Sequence, residues 1–205
     1  MVVSGAPLST PVNLQHLLRS ALDSKPDDDA IVCADNRLTW RTLDTSSTNL
    51  AANLIGLGLR PGDRIASLMP NRIALVVHYL ACLKAGLVAT PLNYRYMAPE
   101  IDHALEVSGA RTILAHSERN SDLAASQRVA SLPLGVIRYG SPSTQGPKLE
   151  DLIEEKAPEV VLNPLRANEP AYIFSRRAAP ARPRGSPIRP RPSAGCCQAL
   201  PIAPR

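Results

Sequence analysis

Side chains that could act as a general base are few in this sequence. The four histidines, His16, His78, His103 and His116, have no serine or aspartate partner at a spacing known from catalytic triads. Histidine is suited to proton transfer near neutral pH, but that chemistry needs an oriented partner. We therefore predict that the histidines are core or surface residues and not catalytic bases.

Cysteine chemistry is not indicated either. Cys33, Cys82, Cys196 and Cys197 form no Cys-x-x-Cys pair and no His/Cys spacing of a metal site. Cys33 and Cys82 lie among apolar residues, so we predict that both are buried thiols. Cys196 and Cys197 are adjacent in an unusual C-terminal segment, where we expect neither a disulfide nor a metal.

Acidic residues and glycines offer no further site. Glu100 and Asp102, like the run 154–156, have the pattern of a solvated helix face. The glycines at 56, 58 and 62 form no G-x-G-x-x-G fingerprint and indicate a helix end and a turn. The residue types and spacings thus predict no catalytic, cofactor-binding or metal-ligating position in this chain.

Charge is unevenly distributed over the 205 residues, whose formal net charge is +5. Residues 175–205 contain seven arginines, seven prolines and no Asp, Glu or Lys, so this tail carries +7 and the rest −2. The tail could contact phosphates but has no aromatic residues for base stacking, so no specific nucleic-acid partner is expected. The rest has a globular composition, which excludes a collagen-like or coiled-coil chain.

The sequence shows no targeting or membrane segment. Its first residues lack the basic and apolar regions of a secretory signal. The most apolar stretch, 73–92, is interrupted by His78, Lys84, Gly86 and Pro91, whereas a bilayer span needs about 20 apolar residues. We expect a cytoplasmic protein without a membrane span.

Strand and helix patterns alternate along most of the chain. An amphipathic helix over 13–22 precedes a hairpin of 30–34 with 37–39, and Thr39 is a predicted N-cap for a helix with a buried stripe of Leu43, Leu50, Leu54 and Leu57. Glycines 86 and 109 are predicted helix ends. Further strands are predicted at 64–69, 87–92, 111–115, 134–139 and 170–174, alternating with helices at 73–85, 99–108, 121–130 and 149–157. This order predicts a layered α/β fold with a mainly parallel sheet.

Four segments in this order carry a family resemblance. They are Leu38–Asp44 (L-T-W-R-T-L-D), Gly58–Ala66 (G-L-R-P-G-D-R-I-A), Met69–Asn71 (M-P-N) and Leu83–Asn93 (L-K-A-G-L-V-A-T-P-L-N). Each alone is an ordinary turn or core segment. Together they resemble the N-terminal region of the AMP-forming acyl-CoA synthetases and related adenylate-forming enzymes, over about residues 12–174.

The resemblance implies three regions: a flexible N-terminus (1–11), a truncated N-terminal AMP-binding α/β domain (12–174) and a disordered Arg/Pro-rich tail (175–205). Complete family members activate a carboxylic acid with ATP and Mg, then transfer the acyl group to CoA. Most of the residues that do this lie downstream, including a T-S-G-[ST]-T-G-x-P-K-G phosphate loop. No catalytic residue is carried over, and Pro91–Arg95 is expected near the acyl or nucleotide pocket without direct contact.

The tail begins where the phosphate loop of relatives would start, directly after Phe174. The genetic code allows several codons for most residues from Ser175 on. Codons can be chosen so that a reading frame that starts at the third base of the Ser175 codon encodes Thr-Ser-Gly-Ser-Thr-Gly-Lys-Ala-Lys-Gly-Val-Thr-His. This reading is the family's loop with one Pro replaced by Ala. We therefore interpret 175–205 as the product of a displaced reading frame, from either a disabled gene or a sequencing error.

These observations lead to an expectation about activity. The chain resembles part of an acyl-CoA synthetase that forms an acyl-adenylate from a carboxylate and ATP and then a thioester with CoA. We expect it to be inactive as written, because the phosphate loop and the C-terminal half of the family pattern are missing. The alternatives are a non-enzymatic module that binds polyanions through its tail, and a fragment that depends on a partner chain.

Overall fold

A computed structural model describes residues 18–33, 36–142, 146–156, 158–166 and 169–174. All of them belong to one structural unit, Met1–Ser175. The helices are α1 (Arg19–Ser24), α2 (Trp40–Gly56), α3 (Ile73–Ala85), α4 (Ala98–Ser108), α5 (Asn120–Ala125), α6 (Gln127–Ala130) and α7 (Leu149–Glu154). The strands are β1 (Asp29–Cys33), β2 (Asn36–Thr39), β3 (Arg64–Leu68), β4 (Val88–Pro91), β5 (Thr112–His116) and β6 (Val136–Tyr139).

The main sheet has four strands in the order β4-β3-β5-β6, and every neighbouring pair is parallel. Its helices alternate with its strands along the chain, so the predicted α/β class with a parallel sheet is confirmed. Parallel sheets of this kind are covered on both faces, and their strands are accordingly almost continuously apolar. The central strand β5 is buried at all five positions.

Successive residues of β3 point to opposite faces of the sheet and enter different cores. Ile65 joins a cluster with Leu50 and Leu54 of α2 and with residues of α3. Ala66 joins a second cluster with Ile101 of α4 and Ile113 of β5. The sheet is therefore the middle layer between α2 and α3 on one face and α4 on the other.

Helix ends follow the predicted local chemistry. The hydroxyl of Thr39 accepts a hydrogen bond from the Thr42 N–H at 3.2 Å, so the predicted N-cap of α2 is confirmed. Gly86 and Gly109 adopt left-handed conformations, with φ of 68° and 63°, and end α3 and α4 as predicted.

Gly86 is also required for close packing. A Cβ atom at this position would lie 2.4 Å from the carbonyl oxygen of Asn163. The glycine thus allows the left-handed turn after α3 and the close passage of the segment that contains Asn163.

The antiparallel hairpin of β1 and β2 is confirmed, with Cys33 opposite Asn36. Cys33, however, is exposed, so the prediction of a buried thiol is wrong at this position. The hairpin is a separate two-stranded sheet, and β1 has no fully buried position, so apolar neighbours in the sequence did not imply burial. Cys82 is buried as predicted.

Several element boundaries differ from the prediction. The helix predicted over 121–130 is two helices, because the Ser126 hydroxyl accepts from the Val129 N–H at 3.1 Å and starts α6 anew. Leu57 is not part of the buried stripe of α2: it is the C-cap and is 37% exposed. The described part of the first predicted helix begins at Arg19, and α7 ends at Glu154.

The predicted strand over 170–174 is reduced to a single bridge. Tyr172 pairs in parallel with Ala89 of β4, which places this segment at the edge of the main sheet. The Ala89 N–H donates to the Ala171 carbonyl at 3.0 Å, and the Ile173 N–H donates to the Ala89 carbonyl at 2.9 Å. Within the described residues, no helix combines the length and apolar character needed to cross a membrane.

Candidate functional site

The carboxyl ends of the parallel strands bring several polar residues to one edge of the sheet. The strand order reverses at β3, because β4 lies on one side of β3 while β5 and β6 lie on the other. The switch point of the sheet is therefore between β3 and β5. In open α/β sheets, ligands bind in the crevice at such a reversal, outside the carboxyl ends of the strands. Arg72, Tyr94 and Glu118 follow the ends of β3, β4 and β5, and Tyr139 is the last residue of β6. This edge is the candidate functional site.

A tyrosine and a carboxylate join two of these loops. The Tyr94 hydroxyl, after β4, donates to Oε2 of Glu118, after β5, at 2.5 Å. This bond lowers the pKa of Glu118, with a smaller contribution from the charge of His116. Burial, followed by the bond to Glu118, raises the pKa of Tyr94. At neutral pH the pair is therefore a neutral phenol held by a carboxylate.

His116 lies beside this pair but is oriented by the backbone. Its Nδ1 accepts a hydrogen bond from the Glu118 N–H at 3.2 Å and lies 3.8 Å from Oε2 of the same residue. Its ring packs against Tyr94 and Tyr139, at centroid distances of 6.4 and 5.6 Å. Through this bond the His116 side chain caps the turn Ser117–Arg119.

Arg119 adds positive charge to the same edge. Its guanidinium lies 5.6 Å from the centre of the Tyr94 ring, in a cation–π arrangement. It also donates to the Tyr96 carbonyl and forms an ion pair with Asp122 at 3.0 Å. These contacts hold the loop after β5 against the loop after β4. The edge offers hydrogen-bond donors and charge for a polar ligand, but its described residues present no nucleophile with an adjacent base.

A cavity of about 410 Å³ opens beside this edge, between the hairpin and α7. Arg72 and Tyr139 belong to both its lining and the edge. Its lining includes Ile73 and Val77 of α3, and Glu150, whose carboxylate accepts from the Gly140 N–H at 2.7 Å. The lining therefore combines apolar side chains with charged groups of both signs.

His78 and Cys82 are neighbours on α3 and form a buried pair. Both nitrogens of His78 lie 3.8 to 3.9 Å from the Cys82 sulfur. Burial lowers the pKa of His78 to about 4 and raises the pKa of the Cys82 thiol. Both groups are therefore neutral at neutral pH, and neither reaches solvent.

The other candidates have structural roles or lie at the surface. His103 is exposed on α4, and His16 lies outside the described residues, as do Cys196 and Cys197. Among the residues that the structure describes, no group of three or more His, Cys, Asp or Glu side chains could hold a metal ion.

Two carboxylates predicted to be solvated are helix caps. Asp102 accepts from the Ser126 hydroxyl and from the Arg128 N–H, the latter at 2.9 Å, and so caps the start of α6. The bond from Ser126 is the main cause of the lowered pKa of Asp102. Glu100 accepts from the Met97 N–H at 3.0 Å at the start of α4. The run 154–156 is exposed, as predicted.

The sequence predicts Pro91–Arg95 near the acyl or nucleotide pocket, and the structure places this segment at the carboxyl edge of the sheet, at the end of β4 and directly after it. Sequence reasoning missed Glu118 and Arg119, although both directly follow a strand, because their partners Tyr94 and Tyr96 are more than twenty residues away. The rule that parallel strands gather their carboxyl ends would have indicated both residues.

The AMP-binding enzyme family model matches residues 18–174. A feruloyl-CoA synthase from an Amycolatopsis species is 31% identical over 164 residues, which are 78% of this chain and 30% of that protein. A medium/long-chain-fatty-acid–CoA/3-oxocholest-4-en-26-oate–CoA ligase from Mycobacterium tuberculosis is 30% identical over 118 residues, or 58% of this chain and 21% of that protein.

The fold agrees with these sequence matches. The crystal structure of apo MatB from Rhodopseudomonas palustris is 26% identical and superposes with a TM-score of 0.67, over 80% of this chain and 32% of that one. The chain thus spans less than a third of the length of each of these three relatives. Since the family model covers more than half of its residues, the chain belongs to the AMP-binding enzyme family, the adenylate-forming enzymes that include the acyl-CoA synthetases.

Proposed function

We propose that residues 18–174 are the N-terminal part of a carboxylate–CoA ligase. In the complete reaction a carboxylate oxygen attacks the α-phosphorus of ATP, pyrophosphate leaves, and the CoA thiolate then displaces AMP from the acyl-adenylate to form a thioester. The observation that carries this proposal is the family match, which runs to Phe174 at the edge of the sheet. The acid would be a fatty or aromatic carboxylate, by analogy with the relatives named above.

In that reaction, this chain would position the loops at the carboxyl edge of the sheet. The four parallel strands fix the loops after β3, β4 and β5, and the contacts of Glu118 with Tyr94 and of Arg119 with Tyr96 tie two of these loops together. Mg²⁺ neutralises the phosphates of ATP when bound. The described residues contain no cluster suited to hold it, so we assign no ligand here.

We further propose that the chain as written does not form an adenylate. A phosphate loop works because small residues let successive backbone N–H groups close around a polyphosphate. In the written frame, Ser175 is followed by Arg176 and Arg177, and further arginines and prolines interrupt the small residues, so the T-S-G-[ST]-T-G pattern of such a loop is absent. The displaced reading would restore it at the same position.

Pyrophosphate exchange into ATP, with a panel of fatty and aromatic acids, tests both proposals. We expect no exchange from the 205-residue chain. We expect acid-dependent exchange from a gene with one base inserted at the junction of the Phe174 and Ser175 codons and continued in that frame. Turnover by the written chain would overturn the proposed inactivity, and a frame-restored enzyme without any exchange would overturn the ligase assignment.

The arginine-rich tail supports a second candidate function, polyanion binding. Its charge of +7 over residues 175–205 would give salt-sensitive retention on heparin, lost when the tail is deleted. If polyanion binding is the evolved function of the tail, the gene must encode residues 175–205 in an intact reading frame. Its codons must then differ from those that would encode the phosphate loop in the displaced frame. A third candidate, a chain completed by a partner subunit, predicts exchange activity only on co-expression with that partner.

A further inference from the structure

The pairing of the edge segment with β4 stops at Pro91. Two hydrogen bonds join the strands around Ala89: its N–H donates to Ala171, and its carbonyl accepts from Ile173. In a parallel ladder the next donor toward the carboxyl edge is two residues further along β4. That position is Pro91, which has no N–H to offer to the Ile173 carbonyl.

The direction of the neighbouring amides agrees with this geometry. The N–H groups of Val88 and Leu92 point to the opposite side of β4, toward β3, where they donate to the carbonyls of Asp63 and Ser67, each at 2.9 Å. The N–H of Ala89 points to the edge segment. By alternation, the nitrogen of residue 91 faces the edge segment too, so proline removes the donor that would extend the pairing.

Side-chain exposure changes at the same point. Tyr172 is partly buried, with its ring edge-on to Tyr79 of α3 at 5.6 Å. Phe174 stacks on Tyr172 but is 71% exposed. The last residue of the segment is therefore already outside the core when the hydrogen bonds to β4 end.

We infer that Pro91 is a positioning residue. It ends the pairing of the edge segment with β4 at Ile173, so that the strand ladder is not extended toward the carboxyl edge. The functional consequence rests on the proposed ligase function. A loop that binds polyphosphate through its own N–H groups cannot also use them in a strand ladder, so the pairing must stop before the loop starts.

The experiment adds the missing donor by Pro91→Ala and uses Pro99→Ala as the matched control. Both changes remove one proline ring and loosen the unfolded chain similarly. Pro99 lies in the first turn of α4, where helix N–H groups have no intrahelical partner. Only Pro91→Ala places a new N–H opposite the Ile173 carbonyl.

The readout is nuclear magnetic resonance on the 205-residue chain. In Pro91→Ala we expect a scalar coupling across the hydrogen bond between the backbone nitrogen of position 91 and the Ile173 carbonyl carbon. We also expect the exchange of the Ile173 amide to slow by about two- to tenfold, the equivalent of one net hydrogen bond. Pro99→Ala is expected to leave that exchange unchanged.

A folded Pro91→Ala protein without the coupling would overturn the inference. Pro91→Val, which supplies the same N–H with a strand-favouring side chain, serves if the alanine variant does not fold. If neither variant folds while Pro99→Ala does, the ring of Pro91 is needed for packing and the inference is overturned as well.

The functional arm uses the frame-restored protein. There, Pro91→Ala is expected to raise the KM for ATP in pyrophosphate exchange by about two- to tenfold while kcat changes by less than about twofold, because the substitution draws the start of the loop into the sheet. Equal KM values in Pro91→Ala and Pro99→Ala would overturn the positioning role. If the restored protein itself shows no exchange, the ligase proposal fails, and the resonance experiment alone decides the role of Pro91.

Discussion

The ammonium group of Lys84 donates to the carboxylate of Asp44 at 2.7 Å and to the carbonyl of the same residue at 2.8 Å. A third bond, to the hydroxyl of Thr48, is 2.8 Å long. Asp44 ends the first of the four family segments, and Lys84 is the second residue of the last, so these contacts join α2 to α3. The segment around Lys84 thus contributes a polar link between two of the family segments, in addition to the helix end at Gly86.

Replacing Lys84 by methionine tests this link. Burial lowers the pKa of Lys84, opposed by its bond to Asp44, so the ammonium depends on its partners. We expect Lys84→Met to reduce the free energy of unfolding by about 1–3 kcal/mol, because the partly buried acceptors lose their donor. Urea denaturation measures the loss. The exposed Lys156→Met serves as control and is expected to stay within about 0.5 kcal/mol of the parent chain. Equal effects of both variants would contradict a structural role for Lys84.

The destabilisation caused by Gly86→Ala has two sources, backbone strain and a steric clash. Comparison with Gly62→Ala, where only the strain applies, separates them. Both glycines have positive φ, but a Cβ at Gly62 would meet nothing within 4 Å. We expect about 1–2 kcal/mol of destabilisation for Gly62→Ala, from the left-handed conformation alone. Gly86→Ala is expected to cost about 1–3 kcal/mol more, because its Cβ would meet the Asn163 carbonyl. Thermal or urea unfolding gives the difference, and similar losses at the two positions would contradict the close contact.

The buried His78 predicts a loss of stability in mild acid. Its pKa is lowered to about 4, whereas the unfolded imidazole titrates near 6.5, so the unfolded state binds a proton that the folded state does not. The stabilisation is complete above about pH 6.5 and declines as the pH falls toward 4, by up to about 3 kcal/mol. Cys82 and Tyr79, which lie beside the ring, have raised pKa values and stay neutral throughout this range.

Two variants check the assignment to His78. The slope of unfolding free energy against pH between 6.5 and 5 is expected to flatten in His78→Leu and to persist in His103→Gln, because His103 is exposed. Retention of the full slope in a folded His78→Leu protein would show that another group is responsible.

Tyr94→Phe is expected to raise the pKa of Glu118 toward its ordinary value. The phenol is the main cause of the lowered pKa, and phenylalanine keeps the ring under Arg119 while removing the donor. Titration of the Glu118 carboxyl carbon by nuclear magnetic resonance measures the change. Tyr139→Phe, which keeps a ring beside His116, is the control. An unchanged pKa in Tyr94→Phe would show that the Tyr94 bond is not formed in solution.

The order and type of the elements could be predicted because each carries its own local signal. Thr39, Gly86 and Gly109 mark helix ends through their own side-chain or backbone properties, and the prediction was correct at all three. The break at Ser126 was missed although Ser126 is a local N-cap of α6; the Asp102 carboxylate, which also holds this hydroxyl, belongs to another helix.

The candidate site was harder to predict because its residues come from different elements. Tyr94 meets Glu118 only because β4 and β5 lie on either side of β3, an arrangement that follows from the pairing of strands and not from any local pattern. At Cys33 a local signal was misleading. Its apolar neighbours in the sequence predicted burial, but Cys33 is exposed because β1 lies in a separate two-stranded sheet.

The contact between α2 and α7 has a consequence for synthesis of the chain. The Asn53 amide donates to the Leu152 carbonyl at 2.9 Å across 99 residues, and Asn49 donates to the Ile153 carbonyl at 3.2 Å. On the ribosome, both asparagines emerge well before their acceptors are translated, while domains fold as their elements become available. Until then the amides stay hydrated, and α2 keeps one face open. This face of α2 is covered only after α7 has been synthesised. A nascent chain that stops before Leu149 would therefore have an incomplete hydrophobic core.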